Sequence, residues 1–134
     1  MKLSVLDTSA LIRFYIPDGP IPTGLEEAMS SCLTGNTVLL VPELALVEAA
    51  QVLYKKEVAG YINQNEADEI LEAILELPLE IIGHYDLLTD AYEISRFNGI
   101  TLYDAMFMAL AKKKNAELIS ADDELMKVFK HSSV

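Results

Sequence analysis

Several residue types that mark particular classes of protein are rare in this sequence. One cysteine, Cys32, cannot form an internal disulfide and is expected in the core, and two histidines, His84 and His131, are too few for a Cys/His zinc site. Six glycines and five prolines among 134 residues argue against a disordered or low-complexity chain. No apolar run is long enough for a membrane span, and the N-terminal one is too short for a signal peptide, so we expect a cytoplasmic protein.

Positive charge is also scarce, with ten Lys and Arg against 21 Asp and Glu and a formal net charge of −11. This balance argues against a general duplex binder, because phosphate contacts come from Lys and Arg. It leaves open an enzyme whose bound cations supply positive charge, a basic protein partner, or a dimer that concentrates its few lysines around a cleft. Hydrophobic residues make up 51% of the chain, which is enough to build a core. We expect residues 1–134 to form a single domain.

Short apolar segments alternate with helical patterns along the chain. Strands are expected at residues 3–6, 37–41, 79–82 and 117–120. Helices are expected at residues 8–16, 24–33, 42–60, 64–77, 86–97, 101–114 and 122–129, followed by a tail at 131–134. Apolar strands that alternate with helices predict an α/β fold with a parallel sheet covered on both faces.

Two aspartates follow predicted strands. Asp7 comes directly after the first strand, and Asp122 comes shortly after the fourth. Binding sites in open parallel sheets form beyond the carboxyl ends of the strands. Each aspartate also suits the N-cap of the helix that follows it, since Asp is favoured at that position. Position alone therefore leaves both roles open.

Two further acids lie in helical segments that are otherwise apolar. Asp104 is the only charged residue in LYDAMFMALA, and Glu48 lies within LALVEAAQV. A helix that is apolar all round is usually buried, and a buried carboxylate is costly unless it is paired or bound to a metal. Glu43 is different because it follows Pro42 in the first helical turn, where the helix dipole stabilises an acid. We therefore favour Glu48 over Glu43 as a site residue.

The chemistry of these four acids points to a hard divalent cation. Clustered carboxylates raise each other's pKa, and a bound cation removes that conflict. Oxygen-only ligands suit Mg²⁺ or Mn²⁺ rather than zinc. Such a cation can polarise a phosphoryl oxygen and lower the pKa of a bound water.

At these residues the chain resembles the PIN-domain ribonucleases, particularly the VapC toxins of toxin–antitoxin pairs. The resemblance lies in four ordered pieces that together span nearly the whole chain. They are VLDTSALI (residues 5–12), VPELALVEAAQVL (residues 41–53), LYDAMFMALAKKKNAELIS (residues 102–120) and ADDEL (residues 121–125).

The resemblance implies a three-layer α/β/α sandwich and an endoribonuclease that hydrolyses RNA phosphodiester bonds with water activated at a Mg²⁺ or Mn²⁺ site. It also implies a homodimer and an antitoxin partner that blocks the cleft. Carried over residue by residue, the metal-binding and catalytic carboxylates are Asp7, Glu48, Asp104 and Asp122. Thr8 and Ser120 are expected to support them by hydrogen bonds, and Ser120 stands where many relatives have Thr. Asp123 is either an additional acid beside the site or a helix cap.

Other functions and roles stay open at this point. One alternative is a Mg²⁺-dependent receiver or aspartyl-phosphate phosphatase, although Ser9 stands where the phosphatase motif needs a second Asp. Another is a non-catalytic interaction protein that keeps the PIN fold. Arg13 either contacts a substrate phosphate or pairs with a surface acid. Tyr54, Lys55 and Lys56 either face RNA or lie at a solvated helix end, and the second position is favoured.

Overall fold

Four parallel strands form the centre of the fold in a computed structural model that describes residues 1–132. They are β1 (Lys2–Leu6), β2 (Thr37–Pro42), β3 (Leu79–Ile82) and β4 (Glu117–Ile119). Their order in the sheet is β3-β2-β1-β4, and all neighbouring pairs are parallel. In the register, Val5 of β1 lies opposite Leu40 of β2 and Leu118 of β4. Burial on both faces accounts for the nearly continuous apolar runs of the central strands.

Seven helices lie within residues 1–132 and cover the sheet. They are α1 (Thr8–Tyr15), α2 (Leu25–Leu33), α3 (Leu44–Val58), α4 (Gln64–Glu76), α5 (Leu88–Asn98), α6 (Leu102–Lys114) and α7 (Asp123–His131). Helix α6 packs against β1, β2 and β4, and α5 packs against α6. Helix α1 packs against α3, which also contacts α4 and β2. The architecture is the expected three-layer α/β/α sandwich with a parallel sheet.

Helix α6 is the most deeply buried helix of the layers around the sheet. Every residue from 105 to 111 is buried, as the apolar pattern predicted. Thr101 caps its first turn by accepting a hydrogen bond from the Asp104 backbone N–H at 3.1 Å. Asn115 ends it in the left-handed conformation, with φ of 50°. Cys32 is also in the core, as expected.

Several element boundaries differ from the sequence-based prediction. Pro42 ends β2 and lies opposite Ile82 of β3 rather than beginning α3. Proline is tolerated there because the pairing of β2 with β1 already ends at Leu40. Helix α3 therefore begins at Leu44, which makes Glu43 its N-cap residue rather than a residue of its first turn.

The end of the chain also differs from the prediction. Strand β4 ends at Ile119 instead of Ser120. Helix α7 continues to His131, whose ring Nδ1 lies 2.8 Å from the Lys127 carbonyl oxygen, so the expected tail is shorter. Ser133 and Val134, the last residues of that tail, lie outside the described residues. No helix within residues 1–132 has the length and apolar character needed to cross a membrane.

The strand order also determines where a site can form. The chain moves from β1 to β2 on one side, while β4 returns to the other side of β1. Ligands of open α/β sheets bind at such a switch point, beyond the carboxyl ends of the strands. Asp7 and Asp122 follow the two strands that meet there.

Candidate metal centre

Asp7 is a buried carboxylate with several hydrogen bonds, located directly after β1. Its Oδ1 accepts from the Ser9 hydroxyl at 2.7 Å and from the Ala10 backbone N–H at 3.0 Å, which makes Asp7 the N-cap of α1. Its Oδ2 accepts from the Ser120 hydroxyl at 2.5 Å. The capping role and a role at the site are therefore both open to this residue.

Two serine hydroxyls connect the ends of β1 and β4. Ser9 Oγ accepts from the Ala121 backbone N–H at 3.0 Å and lies 3.3 Å from Ser120 Oγ. Ser120 Oγ in turn accepts from the Asp122 backbone N–H at 2.9 Å. The sequence predicted a supporting hydrogen bond from Ser120 but none from Ser9. Its position in the first turn after Asp7 was the available signal, since short hydroxyl side chains there bond to neighbouring main-chain groups.

Asp122 is the N-cap of α7. Its Oδ1 accepts from the backbone N–H groups of Glu124 at 3.0 Å and Leu125 at 3.2 Å. Unlike Asp7, it is exposed. Asp7 and Asp122 therefore both cap helices, and both also line a cavity at this edge of the sheet. Capping a helix and contributing to a site, the two roles that the sequence left open, are thus compatible.

Glu48 reaches the same region from α3. Its Oε1 accepts from the Thr8 hydroxyl at 2.7 Å, as expected of a supporting threonine. Glu48, Val52 and Lys56 all line the cavity, and their spacing of four residues puts them on one face of α3. Glu48 is half-buried, whereas Glu43 at the start of the helix is exposed and does not line the cavity.

Asp104 is presented by the first turn of α6. It is half-buried, while the next seven residues of the helix are fully inside the core. The Thr101 hydroxyl also hydrogen-bonds the Asp104 carboxylate. The buried helix therefore places this carboxylate at a fixed point beside the sheet edge.

All four carboxylates line one cavity of about 380 Å³. The wall also contains hydroxyl, apolar and oppositely charged side chains. The lining residues are Asp7, Thr8, Ser9, Ile12, Arg13, Asp18, Glu48, Val52, Lys56, Asp104, Phe107 and Asp122. Asp123 is not among them and lines a neighbouring cavity with Ser120.

The electrostatics of the cavity oppose the charged forms of three of the four carboxylates. Burial raises the pKa of Asp7, and hydrogen bonds from Ser120 and Ser9 reduce that rise. Burial likewise raises the pKa of Glu48, to which the nearby charges of Asp104 and Asp7 add. For Asp104, burial is again the main cause of a raised pKa, followed by repulsion from Asp122. The four carboxylates thus form one mutually repelling group.

Comparison with known protein families gives a match over nearly the whole chain. The model of the PIN domain matches residues 4–130, almost the entire chain. The chain belongs to the PIN-domain family. It is also 32% identical over 131 residues to Ribonuclease VapC3 of Pyrobaculum aerophilum, a match that covers 96% of this chain and 95% of that protein.

Solved structures share the PIN fold at lower identity. PAE2754 from Pyrobaculum aerophilum has a TM-score of 0.73 at 19% identity, with 95% of this chain and 84% of that chain covered. VapBC2 from Rickettsia felis, in a complex bound to a DNA fragment from their promoter, has a TM-score of 0.66 at 16% identity. The match covers 94% of this chain and 92% of that chain. Mycobacterium tuberculosis VapC20, a sarcin-ricin loop cleaving toxin, has a TM-score of 0.63 at 16% identity. The match covers 92% of this chain and 93% of that chain. At these identities the likeness shows the fold.

The donor set of this PIN domain fits a hard divalent cation, because the cavity supplies carboxylate and hydroxyl oxygens. Within residues 1–132, no group of three or more His, Cys, Asp or Glu side chains is already close enough to hold an ion. Binding by all four acids therefore requires side-chain rotation. Glu48 and Asp122 are each hydrogen-bonded through one carboxylate oxygen, whereas both carboxylate oxygens of Asp7 accept hydrogen bonds, so Asp7 is the most firmly held of the three.

Two cations of the PIN domain also line the cavity, and both pair with Asp18. Arg13 Nε lies 3.1 Å from Asp18 Oδ1, and Lys56 Nζ lies 2.8 Å from Asp18 Oδ2. The hydrogen bond from Lys56 is the main cause that lowers the pKa of Asp18. Arg13 thus pairs with a surface acid, which is one of the two roles that the sequence left open for it. Lys56 is half-buried at the cavity rather than at a solvated helix end, the position favoured from the sequence, whereas Lys55 is exposed.

Proposed function

We propose that this PIN domain is a Mg²⁺- or Mn²⁺-dependent endoribonuclease that hydrolyses RNA phosphodiester bonds. The observation that carries the proposal is the convergence of Asp7, Glu48, Asp104 and Asp122 on one cavity from four different elements of the fold. Three of these carboxylates have raised pKa values, as expected for buried, neighbouring acids whose charge a bound cation would compensate. The similarity to Ribonuclease VapC3 along the whole chain supports the choice of RNA as the substrate.

The residues of the site fall into two groups in this proposal, the carboxylates that hold the ions and the hydroxyls that orient them. Asp7, Glu48, Asp104 and Asp122 would hold the ions through carboxylate oxygens, and these same residues form the catalytic site. When bound, Mg²⁺ or Mn²⁺ supplies a Lewis acid for the phosphoryl oxygens and lowers the pKa of water. Ser9 and Ser120 orient Asp7, and Thr8 orients Glu48, because their hydroxyls donate to these carboxylates. Outer hydrogen bonds of this kind position metal ligands.

We also propose a protein partner and a homodimer for this chain. The VapBC2 complex of Rickettsia felis supports the partner, which would be an antitoxin that covers the cleft. A cytoplasmic location belongs to the same proposal, since the substrate would be cellular RNA. Size-exclusion chromatography with light scattering tests the dimer directly, because a mass of one chain, 14.8 kDa, would contradict it.

The first experiment tests the metal site without requiring an RNA target. A ligand that binds only the folded protein raises stability by about 2.7 kcal/mol at one hundred times its Kd. The melting temperature should therefore rise in millimolar Mn²⁺ relative to EDTA. The rise should be smaller in Asp104→Asn and unchanged in Glu43→Gln, a control with the same loss of charge outside the cavity. No rise in the wild type would contradict the metal site and favour the non-catalytic alternative.

The second experiment tests the reaction. Purified protein is incubated with a panel of labelled RNAs in Mg²⁺, Mn²⁺ or EDTA, and the product ends are mapped. Water attacks the phosphorus and the bond to the 3′ oxygen breaks in this proposal, so the products should carry 5′-phosphate and 3′-hydroxyl ends, and cleavage should stop in EDTA. Products with 2′,3′-cyclic phosphates would contradict this mechanism, since these form when the RNA 2′-hydroxyl attacks. Equal cleavage in EDTA would contradict it as well.

A further inference from the structure

The carboxylate cavity contains two basic side chains in a protein with few of them. Of the ten Lys and Arg residues in the chain, Arg13 and Lys56 line this cavity. Only 21% of the Arg13 side chain and 22% of the Lys56 side chain are exposed to solvent. A protein with a net charge of −11 needs local positive charge where it meets a phosphate backbone.

Helix geometry separates these cations from the metal-binding end of the cavity. Lys56 follows Glu48 by eight residues on the same face of α3, which corresponds to about 12 Å along the helix axis. Arg13 lies on α1, beyond Thr8 and Ser9, which contact the site carboxylates. The backbone positions of both residues are therefore displaced along their helices from the site carboxylates, which suits contact with a phosphate next to the reacting one.

Asp18 holds both cations in a defined position. Its two carboxylate oxygens each contact one of them, at 3.1 Å for Arg13 and 2.8 Å for Lys56. The Pro20 carbonyl oxygen accepts a further hydrogen bond from Arg13 Nη1 at 2.6 Å. Gly19 permits this close approach, because a Cβ at that position would lie 2.7 Å from Arg13 Nη1. The loop after α1 thus carries an anion that bridges two cations at the mouth of the cavity.

We propose that Arg13 and Lys56 form a binding site for an RNA phosphate next to the scissile one, and that the Asp18 carboxylate occupies this site until RNA replaces it. The inference rests on the proposed ribonuclease function for its choice of ligand. A phosphate has the same oxyanion character as the Asp18 carboxylate, and both accept hydrogen bonds from the Arg fork and the Lys ammonium. The Asp18 side chain is half-exposed, so its carboxylate can rotate into solvent when a phosphate takes its place.

Binding of single-stranded RNA tests the proposal independently of cleavage. Phosphate contacts carry no sequence information, so any labelled oligoribonucleotide that stays intact on a gel serves as the probe. Fluorescence anisotropy in Mn²⁺ at several salt concentrations gives both affinity and its salt dependence. Arg13→Gln and Lys56→Gln should each weaken binding roughly tenfold, as expected for a charge-assisted hydrogen bond. Each should also reduce the slope of log affinity against log salt by about 0.7, the value for one phosphate contact to a single strand.

Matched controls separate this site from a general effect of charge. Lys55→Gln removes the same charge from the adjacent position of α3, where the side chain is exposed and outside the cavity. Arg96→Gln removes the charge of an exposed arginine on α5, outside the cavity, and is the control for Arg13→Gln. Both controls should lose much less affinity than Lys56→Gln and Arg13→Gln. Equal losses in the controls, or no measurable binding by the wild type, would overturn the proposal.

Asp18→Asn distinguishes a phosphate site from a merely structural ion-pair network. If the carboxylate competes with RNA, this variant should bind RNA several-fold more tightly, and more so than Asp68→Asn, an exposed acid on α4 that is outside the cavity. If the network only holds the loop in place, Asp18→Asn should weaken binding as Arg13→Gln does, and the proposal is wrong. Should RNA bind as expected but never be cleaved, the phosphate site stands and the ribonuclease function fails.

Discussion

The two strand-end aspartates and the two helix-borne acids reach the same cavity by different structural means. Asp7 and Asp122 are N-caps, and their carboxylates accept hydrogen bonds from the first turns of α1 and α7. Glu48 and Asp104 cap no helix, and each is supported by a threonine hydroxyl, from Thr8 and Thr101 respectively. The first pair is therefore built into the fold, whereas the second pair adds little to it.

This difference separates stability from function within one site. Replacing a residue of the first pair affects both the helix termini and the cavity, so a loss of activity there is hard to interpret. Replacing a residue of the second pair removes a half-buried charge that its neighbours oppose, so the fold should tolerate the change. Variants of the two pairs of acids should therefore differ in whether they lose activity, stability or both.

The largest effect is expected on catalysis by the helix-borne pair. Asp104→Asn and Glu48→Gln should each reduce RNA cleavage by about 10² to 10³-fold, the loss typical of removing a group that stabilises transition-state charge. Circular dichroism and the melting temperature in EDTA should stay at wild-type values or rise. Glu43→Gln, the exposed control at the start of α3, should retain activity. Inactive Glu43→Gln together with active Glu48→Gln would show that the site uses the other glutamate.

The next effect concerns the stability supplied by Asp7. Asp7→Ala removes the cap of α1 and leaves the Ser9 and Ser120 hydroxyls without their acceptor, which should cost about 2 kcal/mol in urea unfolding in EDTA. Asp7→Asn keeps an acceptor for Ala10 and removes a charge whose burial is unfavourable, so it should be at least as stable as the wild type. Both variants should be inactive. Equal stability of the Ala and Asn variants would remove the distinction between the two pairs of acids.

A smaller effect distinguishes the supporting hydroxyls. Ser9 Oγ donates to Asp7 and accepts from the Ala121 backbone N–H, so it joins the ends of β1 and β4. Thr8 Oγ1 donates a single hydrogen bond to Glu48 Oε1, at 2.7 Å. Ser9→Ala should therefore lower the free energy of unfolding by about 1 kcal/mol, and Thr8→Ala by roughly half of that, as measured in urea. The reverse order would mean that the serine network does not stabilise the strand ends.

The smallest effect is a pH dependence of stability in EDTA. A carboxyl whose pKa is raised by folding favours the folded state at low pH, and this contribution is lost as pH rises through the folded pKa. Asp104 has such a raised pKa, so Asp104→Asn should gain stability relative to the wild type as pH rises above the ordinary aspartate value of 3.8. Urea unfolding at a series of pH values measures the difference. A difference that shrinks over this range would contradict the raised pKa.

Much of the fold could be predicted from local sequence patterns. Four apolar segments and the intervening helical periodicities indicated a parallel α/β sheet, since such strands are buried on both faces. The boundaries were less accurate where local preference and sheet pairing compete. Pro42 suits the first turn of a helix, but the pairing of its neighbours with β3 extends β2 through it. His131 continues α7, although the sequence suggested a tail.

The amino-acid sequence by itself determined the four candidate carboxylates, because a charge within an apolar helix and an acid after a buried strand are unusual enough to recognise in one dimension. Only the tertiary structure decided that they share a cavity, since residues 7 and 122 meet through the pairing of β1 with β4. It also decided that Ser9 joins the strand ends and that Arg13, Asp18 and Lys56 form one cluster. Contacts between residues so far apart in the chain depend on how the layers pack, and local sequence patterns do not encode that packing.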